Sequence, residues 1–248
     1  MIVDAILLFV AAFAAGALNA VAGGGSFLTL PALVVVGLPG VAANATGTLA
    51  LLPGYLSGAW ALRHEIKPMQ GLGIRSLIGI SLVGGALGAI LLLWTSNEMF
   101  GRIVPWLLLV ATLLFALGPR LTRMAGAAAV PPMAVLMVIF AVTIYGGYFN
   151  GGLGILLLAA FGLLGQSNLH AANGLKNLIS ALLTAIASVL YISGGLIHWP
   201  QAIWMMVAAT LGGYAGARLS RHVPVRYLRW GIVVVGLAMT AAFFVAAA

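Results

Sequence analysis

"GALNAVAGGGSFLTLPALVVVGLPGVAANATGTLALL", residues Gly16–Leu52, is an apolar run that breaks itself. Three glycines, Gly23, Gly24 and Gly25, interrupt what otherwise reads as a membrane helix, and the amides of Asn19 and Asn44 sit inside it. A break in lipid leaves backbone amides and carbonyls without partners, at several kcal/mol each unless protein or water pairs them. The break therefore has to face a protein interior or a wet cavity. Glycine permits the turn and the close approach of a ligand. The run after the break starts a helix whose free N–H groups favour an anion. Ser26 fits there as an N-cap.

The rest of the chain sets the class. Hydrophobic residues make up 63% and charged residues 6% of the 248, with a mean hydropathy of +1.19. Soluble domains carry roughly 25% charged residues, so this chain cannot cover a water-soluble surface and reads as an integral membrane protein. The absence of cysteine excludes disulfides and thiolate chemistry. The net charge of +8 does not point to nucleic acid, because the basic residues fall in short loops between apolar runs, as the positive-inside rule places them. The N-terminus "MIVDA" lacks the basic region of a removable signal.

A spanning helix needs about 20 apolar residues. Such runs are Ala5–Ala22, Asn44–Leu62, Leu72–Trp94, Ile103–Leu117, Met133–Phe149, Ala172–Ile192, Pro200–Ala217 and Tyr227–Val245. Ile103–Leu117 is short and is expected to extend at both ends. Phe27–Val36 and Leu153–Leu164 are too short to span and read as half-helices or re-entrant segments. The fold class is all-α: about eight full transmembrane helices plus two short segments after Gly-rich breaks.

The opening stretch also has a second copy. "FNGGLGILLLAAFGLLGQSNLHAANGLKNLISALL" (149–183) aligns Asn150 with Asn19 and, after a gap of two residues, Asn173 with Asn44. Leu82–Ala89 matches Thr210–Ala217. This predicts a first repeat over 1–123, a link at 124–132 and a second repeat over 133–248, in one transport domain. Charge sets the orientation. Arg63, Lys67 and Arg75 form one basic loop, Arg120 and Arg123 a second, and Arg218, Arg221, Arg226 and Arg229 a third. If all three are cytoplasmic, the pair Met133–Phe149 and Leu153–Leu164 must make an even number of passes. Both termini then lie outside, and the repeats have inverted topology, a recurrent transporter design.

The polar residues inside these runs are the candidate site. Asn19, Asn44, Asn150, Asn173 and Asn177 either join helices, as intramembrane amides do, or face one central site. Thr46 and Thr48 add hydroxyls to Asn44, and Gly151 and Gly152 repeat the first break. "GGALG" (84–88) and "GGYAG" (212–216) read as packing glycines. Lys176 falls within a membrane run rather than a main basic loop. It is either a counter-charge for an anionic substrate or a lysine that snorkels to headgroups. Asp4, Glu65 and Glu98 all fall at segment ends or loops, which argues against a cation carrier. His170 and His222 read as loop or interface residues. No metal cluster, phosphate loop or nucleophile–base pair occurs, so the chain is not expected to be an enzyme or to carry a cofactor.

These two stretches, with "HWPQAIWMMVAATLGGYAGARL" (198–219), resemble the sulfite exporter TauE/SafE family of membrane permeases over essentially the whole chain. The resemblance implies a bacterial inner-membrane carrier that moves small sulfur-containing anions such as sulfite, sulfonates or sulfoacetate, usually outward. It carries over to Asn19, Gly23–Ser26, Asn44, Asn150, Gly151–Gly152, Asn173, Lys176 and Asn177. Gly47 stands where a second Asn is more usual. The expected partners are a small anionic solute and membrane lipid, without nucleic acid, and a homodimer is compatible. The rival readings are a carrier of another anion such as a carboxylate, a channel-like pore, and a membrane scaffold.

Overall fold

The structure, a computed structural model, describes residues 2–21, 23–68, 73–125, 131–166, 168–219 and 225–247. Ten helices and no strand occur among them. These are α1 (Ile2–Val21), α2 (Ser26–Val35), α3 (Gly40–Ala61), α4 (Ile74–Leu93), α5 (Asn97–Ala125), α6 (Pro132–Tyr148), α7 (Leu153–Leu163), α8 (Leu169–Ser193), α9 (Trp199–Leu219) and α10 (Val225–Ala247). Four of the described helices hold spans long and apolar enough to cross a membrane: Ile2–Ala20, Ile74–Leu93, Asn97–Leu114 and Ala171–Ser193. The short apolar run around Ile103–Leu117 does extend at both ends, into the 29-residue α5. The short runs after the two glycine breaks are α2 and α7, of 10 and 11 residues. Most of the expected link, 126–130, lies outside the described residues, as do the side chains of Arg120, Arg123, Arg218, Arg221, Arg226 and Arg229.

The distribution of side chains is that of a protein solvated by lipid. Val10, Val83, Trp94, Trp106, Val207 and Val234 are exposed, while Asn19, Thr46, Asn150, Lys176, Thr184 and Ser188 are buried. Soluble proteins bury few such groups without reason. A bilayer rewards the reverse arrangement, because its apolar chains solvate valine and tryptophan and exclude amides.

Helices approach closely where glycine removes a side chain. Trp204 donates to the Ala5 carbonyl at 2.8 Å, and Gly212 and Gly216 lie against Phe13 and Ala17, so α1 runs parallel to α9. Gly84 and Gly88 lie against Thr143 and Ile144, so α4 runs parallel to α6. Both packing motifs expected from the sequence therefore act as packing surfaces. Gly85 lies against Leu183 and Gly194 against Leu93, which makes α4 parallel to α8. It follows that α6 and α8 run in one direction and that α7 turns the chain back between them.

Two other pairs run antiparallel. Gly58 of α3 meets Asn177 of α8, and Leu62 meets Gly174. Trp106 of α5 stacks edge-on against Phe244 of α10, and Gly236 lies against Thr112. A methyl group built on Gly212 overlaps the Phe13 carbonyl, whereas one on Gly79 meets nothing within 4 Å. Overpacking costs about 1–3 kcal/mol. Gly212→Leu is expected to lower the folded, monodisperse yield in detergent sharply, and Gly79→Leu to leave it unchanged, as size-exclusion chromatography would show.

Candidate functional site: the two broken tips

The site begins where α1 and α6 stop. At the first break Gly23 adopts φ +82°, and at the second Gly152 adopts φ +72°. That left-handed region is open to glycine and strained for other residues. Each turn reverses the chain into a short helix, and the two turns meet. The Gly23 backbone lies against Gly154, Gly24 faces Ile155, and Phe27 covers Gly152. The break glycines, read in the sequence as lining a cavity, here let two backbones touch.

Side chains pair the groups that the breaks release. The Gly25 N–H donates to Asn19 Oδ1 at 2.9 Å. Ser26 Oγ donates to the Asn150 carbonyl at 3.1 Å, across the two tips. Ser26 is not the N-cap its sequence position suggested. Gly25 occupies that place with helical dihedrals and, as a glycine, no side chain to cap with, while the Ser26 hydroxyl bonds the opposite tip. Asn44 Nδ2 donates to the Tyr148 carbonyl at 3.0 Å, and the Tyr145 hydroxyl to the Gly151 carbonyl at 2.5 Å. The Tyr191 hydroxyl donates to the Gly147 carbonyl. The second break is thus held by donors from α2, α3, α6 and α8.

The two repeat-related asparagines meet at a tyrosine. The Tyr55 hydroxyl donates to Asn150 Oδ1 at 3.2 Å and also faces the Asn19 side chain. Asn150 Nδ2 reaches Thr184 Oγ1 at 3.5 Å. Lys176 is 1% exposed, and its Nζ lies 3.4 Å from the Asn19 carbonyl, so the side chain points into the protein rather than to headgroups. It approaches the C-terminal end of α1, where a cation is favoured. Asn19 Oδ1 is taken by Gly25, which leaves Asn19 Nδ2 buried without an acceptor.

Most of these groups stand out in the sequence, and the fold brings Asn19, Gly23–Ser26, Asn150–Gly152 and Lys176 to one place, with Asn44 close by at Tyr148. Others serve elsewhere. Thr46 accepts the His198 N–H at 3.1 Å, at the start of α9, rather than supporting Asn44. Asn177 packs on Gly58. Thr48 is buried and Asn173 half-buried on the same two helices. Tyr55, Thr184, Tyr145 and Tyr191 went unnamed. A signal for two of them existed: the offset that pairs Asn44 with Asn173 also pairs Tyr55 with Thr184.

Residues 8–243 match the family described as Sulfite exporter TauE/SafE. The chain is 30% identical over 242 residues to the probable membrane transporter protein YfcA of Escherichia coli (strain K12), covering 95% of this chain and 87% of the relative. It is 30% identical over 238 residues to a probable membrane transporter protein of Haemophilus influenzae, covering 95% and 92%. It is 26% identical over 235 residues to the probable membrane transporter protein ORF9 of Sinorhizobium sp, covering 94% and 89%. No solved structure matches the chain. The chain belongs to the sulfite exporter TauE/SafE family and is a multi-pass membrane transporter protein.

Two substitutions probe the tips. Gly23 and Gly37 both have positive φ, but only at Gly23 does an added methyl overlap another backbone, that of Gly154. Both alanine variants should lose about 1–2 kcal/mol to the dihedral, and Gly23→Ala about 1–3 kcal/mol more to the overlap. Thermal unfolding in detergent reads the difference. Tyr55→Phe leaves Asn150 Oδ1 buried without its donor, and should cost about 1–3 kcal/mol in the same assay.

Proposed function

We propose that this member of the family is a secondary transporter that exports small sulfur-containing anions, such as sulfite and sulfonates, across a bacterial inner membrane. Its site is the junction of the two tips. Asn19, Gly23–Ser26, Asn150–Gly152, Tyr55 and Thr184 line it, Lys176 supplies charge, and Asn44, Asn173 and Asn177 stand around it on α3 and α8.

The observation that carries this reading is the environment of Asn19. Its buried Nδ2 has no acceptor within hydrogen-bond distance, only the Tyr55 oxygen beyond it, and the buried ammonium of Lys176 lies against its carbonyl. The chain has only three acidic residues, Asp4, Glu65 and Glu98, and all three are exposed. No carboxylate therefore balances Lys176. A buried charge is stable only when paired, and a site of unpaired donors around one cation is completed by an anion. The family's name supports a sulfur oxyanion among the anions that fit.

The proposal includes two inverted repeats, 1–123 and 133–248. Exchanging α1 with α6, α2 with α7 and so on to α5 with α10 carries the α1–α9 contact onto α4–α6 and the α3–α9 contact onto α4–α8. Two helices pack on their own counterparts, α3 on α8 and α5 on α10, and both pairs run antiparallel. A two-fold axis along the helices would make them parallel. Only an axis lying in the membrane plane makes them antiparallel, which supports inversion. With the basic loops cytoplasmic, both termini face the periplasm. Alternating access then requires the Gly23–Gly154 contact to open toward one side at a time.

The test is ligand binding, then transport. Ligand that binds the native state raises its melting point, by about 2.7 kcal/mol of stability at 100 times Kd. Sulfite or a sulfonate is expected to raise the melting point of the purified protein, and simple carboxylates to do so less. Labelled substrate in liposomes should saturate and show counterflow, which a pore would not. Lys176→Met should reduce both signals at least tenfold. If no anion shifts the melting point, or Lys176→Met transports at the native rate, the reading is wrong.

A further inference from the structure

We infer that the site selects monoanions over dianions, an inference that rests on the anion reading above. Lys176 is the one buried charge among the described side chains. Arg63, Lys67, Arg75 and Arg102 are exposed, and Glu98 is paired with Arg102 at 2.7 Å on the surface. The other groups that converge on the tips are neutral: Asn19, Ser26, Tyr55, Asn150 and Thr184.

Helix ends do not alter the count. Each short helix presents a partial positive charge at its start, but at each tip a helix also ends. The α1 C-terminus stands beside the start of α2, and the α6 C-terminus beside the start of α7. Partial charges of opposite sign meet at each tip and cancel. Among the described side chains, the junction therefore offers one full positive charge and a set of neutral donors.

One negative charge makes the occupied site neutral. A second would leave a net charge within a membrane protein's interior, where charge is penalised most. Sulfonates with one charge and hydrogen sulfite fit this balance. Sulfite that has lost its second proton, sulfate, and sulfoacetate with its added carboxylate do not. The sulfur anions implied by the family resemblance are narrowed accordingly.

Three probes of similar size test the inference on the purified full chain by titration. Methanesulfonate carries one charge at every working pH and sulfate two, while sulfite changes from one to two as pH rises. The titratable groups at the tips are Lys176 and Tyr191 on α8, Tyr55 on α3 and Tyr145 on α6. No described histidine or carboxylate faces it from α1, α2, α6 or α7, and the side chain of His170 lies outside the described residues. Dividing the sulfite affinity by that of methanesulfonate at the same pH removes the protein's own titration.

The expected result is methanesulfonate binding at least about tenfold tighter than sulfate. The sulfite ratio should fall by about tenfold per pH unit once hydrogen sulfite is the minor species. Lys176→Met should bring methanesulfonate down toward the sulfate level. Sulfate binding as tightly as methanesulfonate, or a sulfite ratio flat with pH, overturns the monoanion inference and leaves the anion reading standing. Binding of neither probe overturns both.

Discussion

Everything in this fold depends on the pairing of backbone groups where two membrane helices are broken. In water such groups are solvated. In lipid each has to find a partner within the protein. Side chains of the surrounding helices supply most of these partners, and one bond joins the two breaks directly. Ser26 beside the first donates to the Asn150 carbonyl of the second, and glycines allow the backbones to touch at Gly23 and Gly154. The helices around them are placed so that this junction is buried. Glycine faces bring α9 against α1 and α6 against α4, and α3 and α8 cross beside the tips to deliver Tyr55, Lys176 and Thr184.

The two breaks are not equally held, although the sequence repeats. Tyr191, Asn44, Tyr145 and Ser26 each donate to a carbonyl of the second break, at residues 147, 148, 151 and 150. The first break has the Asn19 side chain on Gly25 and the longer Lys176 contact to the Asn19 carbonyl. One tip is thus tightly clamped, and the other is held by fewer bonds and by the contact of a charged side chain. The repeat counterpart of Lys176, by the offset that pairs Asn44 with Asn173, is Gly47, which lies against Thr29 instead. Charge enters the junction from one half only.

This division explains what was legible in the sequence. Ten apolar runs, two of them too short, correspond to ten helices, because length and hydropathy are local properties of the chain. The break positions were legible because each glycine cluster follows an asparagine and precedes a run too short to span, which the packing pairs Gly84–Gly85 and Gly212–Gly213 do not. Lys176 stood out because charge is rare there. The tyrosines were not legible in the same way. Tyr55, Tyr145 and Tyr191 look like ordinary apolar residues until the fold shows a carbonyl or an amide within reach of each hydroxyl. Nor does sequence distinguish a glycine that borders a cavity from one that lets two backbones meet. Thr46 shows the converse: its position beside Asn44 suggested a shared site, but helix geometry turns it toward the start of α9.

A broken helix pair that holds an anion, as proposed for this junction, needs a cation. A lone helix start would attract negative charge through its dipole. A tip, however, joins the end of one helix to the start of another, and the two partial charges oppose each other. The N–H groups at α2 and α7 then serve as directional donors without net attraction. Attraction has to come from a full charge, and in this chain the buried side chain that supplies it is Lys176. Its contact with the Asn19 carbonyl gives the ammonium one acceptor but no counter-charge. In the transport proposed above, an arriving anion competes with that carbonyl for the ammonium. On that proposal, binding loosens the hold on the first tip, where the fewest other groups resist movement, and the substrate's own charge links occupancy to the opening of the tips.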